Sequence, residues 1–288
     1  MARALDRCLV CGGSLDQTVE LRDGYRVLFC GVCRLGHLVP RPSPSAIAAL
    51  YSGDYFEHEA ADSPGYAEYE AMESEHRQAA RMLLGQIARF GRPPGRLFDV
   101  GCGFGYFLQE AKEAGWTVAG SDLSPAAASN AAARVGNVVR QSIEDIDGSY
   151  DVITAWDVVE HVQDPLIAFQ RVHAALAPGG VFAFTTPDTG SWDAVLLRQK
   201  WYGYTKVPEH LLYFNRSSVR ALLDRSGLEL ALLRGWGFVR TLGFVTNQLG
   251  RTLLGRPVAV ADRLPGKLRE LPLFIPAIDL LAVARRSG

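Results

Sequence analysis

The segment Leu97-Phe-Asp-Val-Gly-Cys-Gly-Phe-Gly105 constrains the fold more than any other stretch of this chain. A short apolar run ends in an acid, and three glycines at alternate positions, Gly101, Gly103 and Gly105, follow before helix-like sequence resumes. Glycine tolerates the backbone angles of a sharp turn and lets a ligand approach the main chain, so a strand, a tight turn and a helix are expected here. Asp99 then stands near the carboxyl end of the strand, where ligands of open α/β sheets bind. Around this point short apolar runs alternate with helical segments, the pattern of βαβ units and a parallel sheet. Strands are expected at 97–100, 117–121, 137–140, 150–155, 180–185, 228–233 and 278–286. Helices are expected at 104–114, 125–135, 165–177 and 217–226.

The second of these strands ends in Gly120-Ser-Asp122, seventeen residues beyond Gly105. An acid at that tip can accept two hydrogen bonds from ribose hydroxyls, although Asp122 could instead cap the next helix in competition with Ser124-Pro125. The glycine spacing is GxGxG rather than the GxGxxG of a dinucleotide fingerprint, and an ionised Asp99 suits a cationic amine better than a pyrophosphate. Both points weigh against a nicotinamide-dependent oxidoreductase. Cys102 reads as a small packing residue, since no base is paired with it in the sequence.

A second feature is independent of the first. Cys8-x2-Cys11 and Cys30-x2-Cys33 lie eighteen residues apart, a spacing that lets two turns present four thiolates to one zinc at about 2.3 Å. Four sulfur ligands leave no open position, so such a zinc is structural. His37 is nearby and reads as a capping residue or an alternative ligand. Three prolines in Val39-Pro-Arg-Pro-Ser-Pro44 then fix an extended connector. The expected organisation is a zinc ribbon over 1–40, a linker with N-terminal helices at 45–51 and 68–90 within 41–95, and an α/β domain over 96–288. That domain carries an unassigned insertion at about 235–275 with Trp236, Phe238, Phe244 and Leu249.

Thirty Lys+Arg against thirty-one Asp+Glu give a net charge of −1, so no global positive field draws in a polyanion and nucleic acid is an unlikely partner. The amino-terminal stretch lacks the apolar core of a signal peptide, and the most apolar late run is broken by Pro272, Pro276 and Asp279. A cytoplasmic, non-spanning protein of undetermined oligomeric state is expected.

Two clusters offer acid–base chemistry. Trp156, Asp157, Glu160 and His161 follow the 150–155 strand; on a helix Asp157 and His161 would share a face, so that the carboxylate orients the imidazole. Otherwise His161 is a structural, hydrogen-bonded histidine. Val207-Pro-Glu-His-Leu-Leu-Tyr-Phe214 follows the 180–185 strand, on the rim where substrate loops belong; its alternative reading is a local latch. Trp201, Tyr202 and Tyr204 form either an aromatic substrate wall or lid packing.

With these segments in view, the chain resembles the class I S-adenosylmethionine-dependent methyltransferases over roughly 96–233. The motifs are LFDVGCGFG, VAGSDLSP, SYDVITAWDVVEHVQDP and LAPGGVFAFTTPD. The resemblance implies a Rossmann-like seven-stranded sheet with helices on both faces. It implies that Asp99, Gly101, Gly103 and Gly105 hold the methionine part of the cofactor, that Asp122 holds the ribose and that Leu123 flanks the adenine. Ser142 takes the place of the family's frequent acid near the adenine, and Asp157 is counted among the cofactor contacts. The paired cysteines, the VPRPSPS linker, the 51–56 segment and the PEHxxYF-like segment resemble bacterial sugar and natural-product methyltransferases with a zinc-binding leader. That comparison implies Glu209 and His210 as acid–base residues with Tyr213 near the substrate. No counterpart of the large carboxyl-terminal domain of the sugar C-methyltransferases is expected within these residues, which weighs against C-methylation and leaves methyl transfer intact. Methyl transfer to a hydroxylated small molecule, on oxygen or carbon, is the function implied; a ribosomal-RNA methyltransferase and a non-catalytic cofactor-binding scaffold are the alternatives.

Overall fold

A computed structural model of the chain describes residues 5–43, 45–47, 73–243, 245–246, 250, 265–269 and 271–287. Strands β1 (Leu15–Glu20), β2 (Arg26–Cys30) and β3 (Gly36–Val39) form an antiparallel meander. Helix α1 (Glu73–Ile87) then leads into the α/β region: β4 (Arg96–Val100), α2 (Tyr106–Glu113), β5 (Thr117–Ser121), α3 (Pro125–Val135), β6 (Val138–Val139), β7 (Tyr150–Trp156), α4 (Pro165–Ala175) and β8 (Leu176–Pro187). After α5 (Trp192–Leu197) come β9 (Leu212–Tyr213), α6 (Arg216–Ser226), β10 (Leu228–Thr241) and β11 (Pro272–Arg286).

Seven of these strands form one sheet in the order β10-β11-β8-β7-β4-β5-β6, parallel from β8 to β6 and antiparallel where β11 meets its neighbours. The expected α/β class is the one observed. Because side chains alternate along a strand, successive residues enter different cores. Phe182 and Phe184 of β8 join Phe98 and Ile153 under α4 and α6, whereas Val181 and Ala183 join Leu97 and Val152 under α1 and α2. Phe169 of α4 meets both Phe182 and Phe184 edge-on at 5.2 Å. On the other face, Arg77 and Arg81 of α1 converge on the buried Glu110 of α2.

Three local readings change. The 165–177 helix stops at Ala175 and β8 starts at once, with Gly179 at φ 74° where the register against β7 shifts. Only Val138 and Val139 pair in the strand expected at 137–140. Strands β10 and β11 pair from Leu228↔Arg286 out to Thr241↔Pro272, well beyond 228–233 and 278–286. The two ends of the unassigned 235–275 stretch, 235–241 and 272–275, therefore belong to this long antiparallel pair, and Trp236 is buried in it. Residues 48–51 and 68–72 of the expected N-terminal helices, the 51–56 motif, Phe244 and Leu249 lie outside the described residues.

The meander is not a detached ribbon. Its third strand pairs with β9 through Gly36↔Tyr213 and His37↔Leu212, so a four-stranded sheet, β1-β2-β3-β9, joins the amino-terminal module to the loop after α5. Leu38 N–H donates to Leu211 O at 3.0 Å. Arg22 donates to the Thr205 carbonyl at 2.9 Å, and buried Arg41 donates to the Gln163 carbonyl at 2.6 Å.

Candidate active site

The turn after β4 has the backbone its glycines permit: Gly101, Gly103 and Gly105 take φ of 64°, 53° and 80°. A side chain at Gly101 would also place its Cβ 2.5 Å from Val158 Cγ2. Asp122, at the end of β5, closes the turn from the next strand. Its Oδ2 accepts from Gly103 N–H at 2.9 Å and its Oδ1 from Ser124 N–H at 2.8 Å. Ser124, not Asp122, caps α3, accepting from Ala127 N–H with Pro125 in the first turn. Asp122 keeps lone pairs for a ligand.

A cavity of about 560 Å³ opens over this edge of the sheet. Gly101, Asp122, Leu123, Ser142, Asp157 and His161 all line it, with Arg140, Glu144, Val158 and Gln163 among the other wall residues. Leu123 is 41% exposed, as suits an apolar platform for a flat ring. Ser142 donates to Asp145 Oδ2 at 2.8 Å.

Asp99 lies beneath the turn rather than in the cavity wall. It is buried and accepts from Thr154 Oγ1 at 2.6 Å. Burial pushes its carboxyl up to about 8; the Thr154 hydroxyl opposes this and the Asp122 charge adds to it. An acid raised on folding keeps a proton that the unfolded chain releases near pH 4, so its stabilising effect is full below that value and is lost as pH rises toward 8. The melting temperature of the ligand-free protein should therefore fall more steeply between about pH 5 and pH 8 than that of Asp99→Asn. Parallel melting profiles would contradict this.

At the end of β7 the expectation of a helix fails. Asp157 takes the left-handed region at φ 55°, and a single 3-10 turn follows over Val159–His161. Asp157 Oδ1 accepts from Thr185 Oγ1 at 2.8 Å, while His161 Nδ1 lies 3.0 Å from Glu209 O. The orienting partner of His161 is thus a backbone carbonyl of the PEH segment. Burial lowers His161 to about 4 and holds His210 well below the usual range, so both imidazoles are neutral at pH 7.

The PEH segment docks on the same turn, with Leu211 N–H donating to Glu160 O at 2.9 Å. The buried His210 ring stands edge-on to His161, centroids 4.9 Å apart. Glu209 contributes its carbonyl to His161, and its side chain is not in the cavity wall. Tyr213, which the resemblance sets near the substrate, is in the buried seam with the amino-terminal sheet, its ring 5.3 Å from Tyr204. Pairing of β9 with β3 fixes it there. Trp201 and Tyr204 are packing residues: Trp201 is buried and donates to Asp193 Oδ2 at 3.0 Å.

Sequence reasoning gave Glu160 no role of its own, although the structure buries it between Thr186 and His161. The signal was an acid inside the apolar run Val158-Val-Glu-His-Val162. In the amino-terminal module, Cys8, Cys11, Cys30 and Cys33 bring four Sγ atoms within 4.8 Å of one another, with Cys8–Cys33 and Cys11–Cys30 each at 3.4 Å. The buried His37 places Nε2 3.4 Å from Cys8 Sγ, as a neighbour of the cluster.

A family model described as a methyltransferase domain matches residues 72–233. The chain belongs to this methyltransferase family. The methyltransferase is 34% identical over 111 residues to a ubiquinone biosynthesis O-methyltransferase of Xanthomonas campestris pv. campestris, covering 34% of this chain and 46% of that protein. It is 27% identical over 168 residues to one from Idiomarina loihiensis, covering 53% and 69%. It spans about half the length of several of the curated relatives it matches. The structure of magnesium protoporphyrin IX methyltransferase from Synechocystis with bound SAH has the same fold, with TM-score 0.50 and 16% identity over 76% of this chain and 86% of that one. The YcgJ protein from Bacillus subtilis matches with TM-score 0.51 and 18% identity, covering 73% and 100%. The α/β region has the class I methyltransferase fold. Among the described residues no helix is long and apolar enough to cross a membrane.

Proposed function

We propose that the enzyme methylates an oxygen of a hydroxylated small molecule, a sugar or natural-product intermediate, and works in the cytoplasm without a nucleic-acid partner. The observation that carries the reading is that one cavity is lined both by Asp122 and Leu123, the expected nucleoside contacts, and by Asp157 and His161. Its volume suits a cofactor together with the reacting part of a small acceptor. The methyl on a sulfonium is already activated, so the protein has mainly to align the acceptor and assist loss of its proton. In this reading Gly101, Gly103, Gly105 and the underlying Asp99 receive the methionine part. Asp122 takes the ribose, and Leu123 and Ser142 border the adenine. His161 meets the acceptor hydroxyl, His210 backs it, and Glu209 orients His161 through its carbonyl. The names of the partial relatives support oxygen as the acceptor atom, and the PEH segment supports the acceptor class.

The four-cysteine group fits a closed zinc site: its donors are all sulfur, and separations of 3.4 Å and up to 4.8 Å bracket those of a tetrahedron with ligands at about 2.3 Å. Zinc at Cys8, Cys11, Cys30 and Cys33 would brace the module that carries β3.

The test is to incubate the protein with methyl-labelled S-adenosylmethionine and an extract of its source cells, then separate small molecules, RNA and protein. Label is expected in a small molecule. Label in RNA, or none despite cofactor binding, would overturn the reading.

A further inference from the structure

S-adenosylmethionine carries a positive α-ammonium on its methionine part, and a cation taken out of water against a protein wall needs an acid beside it. The resemblance gives this role to Asp99. The structure places Asp99 elsewhere: it is 2% exposed, lies beneath the turn with Thr154 Oγ1 on its Oδ1, and is not part of the cavity wall. Burial also keeps most of its carboxyl protonated at neutral pH. Among the described residues three acids do border the cavity, Asp122, Glu144 and Asp157. The sheet order β7-β4-β5 sets Asp157 and Asp122 one strand away on opposite sides of the glycine turn. Asp122 holds two backbone N–H groups on the β5 side and is the expected ribose acid. Glu144 follows Ser142, at the edge expected for the adenine.

Asp157 is left on the methionine side, and both of its neighbours reach the turn. A Cβ at Gly101 would meet Val158 Cγ2 at 2.5 Å, and the Trp156 ring stands edge-on to Phe107, in the first turn of α2, with centroids 5.1 Å apart. Asp157 is solvent-exposed, and its negative charge is among the causes that raise Glu160. Its backbone occupies the left-handed region at φ 55°, which aspartate adopts more readily than most side chains. The buried Thr185 of β8 holds it there. The Thr185 hydroxyl oxygen accepts from Asp157 N–H at 3.0 Å, and its proton goes to Asp157 Oδ1 at 2.8 Å. One side chain thus fixes the main chain and the carboxylate of the same residue. Thr185 is itself fixed by the β7–β8 ladder, opposite Trp156.

We propose that Asp157, in place of the motif acid Asp99, is the counter-charge for the α-ammonium of the cofactor, and that Thr185 is the positioning residue that aims it. These roles rest on the cofactor site of the reading above. Asp99 then supports the turn from below, through Thr154 of β7. His161 keeps its place toward the acceptor, since Asp157 acts on the cofactor alone.

The test is calorimetric titration of the full chain with two probes. S-adenosylhomocysteine keeps the α-ammonium, whereas 5′-methylthioadenosine keeps the nucleoside and lacks the amino-acid part. Asp157→Asn should weaken S-adenosylhomocysteine by about 10-fold or more and change 5′-methylthioadenosine by less than about 2-fold. Thr185→Val should weaken S-adenosylhomocysteine by about 5-fold, and Thr185→Ser, which keeps the hydroxyl, should restore it. Added to Asp157→Asn, Thr185→Val should cost less than it does alone, because both act through one side chain. Unchanged S-adenosylhomocysteine affinity in Asp157→Asn overturns the assignment, as does a loss shared equally by both probes in a variant that melts like the unaltered chain. Asp157 is exposed, so Asp157→Asn and Thr185→Ser decide the matter even if Thr185→Val fails to fold. An unaltered chain that binds neither probe overturns the cofactor reading and this assignment together; binding of both with no effect of Asp157→Asn overturns the assignment alone.

Discussion

Replacement of Cys30 by serine is expected to release zinc and to lower methyl transfer by about 100-fold or more, although Cys30 is remote in sequence from every residue of the cavity. Cys30 is fully buried at the end of β2, with its Sγ 3.4 Å from Cys11 Sγ. Structural zinc contributes on the order of 10 kcal/mol to the folding of small modules, and three ligands cannot keep the closed tetrahedron. The consequence travels through the backbone. β2 pairs with β3, β3 pairs with β9, and Leu211, one residue from His210, accepts from Leu38 N–H. Arg22 and Arg41 tie the same loop to the module from either side. Loosening the module thus frees the loop that carries His210 and the Glu209 carbonyl. Zinc content, melting temperature and transfer rate should fall together. Loss of zinc with an unchanged rate would show that the module does not support the site.

Asp122→Ala is the second large effect, and it should appear in cofactor binding before turnover. The carboxylate holds Gly103 N–H and Ser124 N–H and also borders the cavity. Removing it takes away the expected ribose acceptor and the clamp on the glycine turn. Hydrogen bonds to a charged group are worth about 1.5–3 kcal/mol each, so S-adenosylmethionine affinity should fall by about 100-fold or more. Asp122→Asn, which retains one acceptor oxygen, should fall between Ala and the unaltered protein. Calorimetric titration measures both. Equal affinity in Asp122→Ala would remove this residue from the cofactor site.

What the sequence made legible is local. The β4 turn needs only three glycines and the strand before them, and β5 with Asp122 follows within one βα unit. Four cysteines at CxxC spacing come together within a single meander. The missed features depend on distant partners or on one unusual residue. Pairing of β3 with β9 joins positions about 175 residues apart, and no local pattern in Leu212-Tyr213 announces it. Tyr213 consequently reads as a substrate contact and lies in a seam. The outer halves of β10 and β11 pair across an intervening stretch, with Gly235, Gly237 and Pro276 obscuring their alternation. Asp157 and His161 share a helix face only if the chain stays helical, and the left-handed Asp157 prevents that. Glu160 is overlooked because a carboxylate in an apolar run stands out only once it is known to be buried.

The central claim is that one cavity brings the sulfonium methyl to an oxygen of a small molecule. Its most direct test is a reaction with 13C-methyl S-adenosylmethionine and the small-molecule fraction of the source cells, read by proton–carbon correlation spectroscopy on the labelled product. The account predicts a methyl signal in the range of methoxy carbons, at the mass of a small molecule. A methyl bound to carbon or nitrogen, or label confined to RNA, would contradict it.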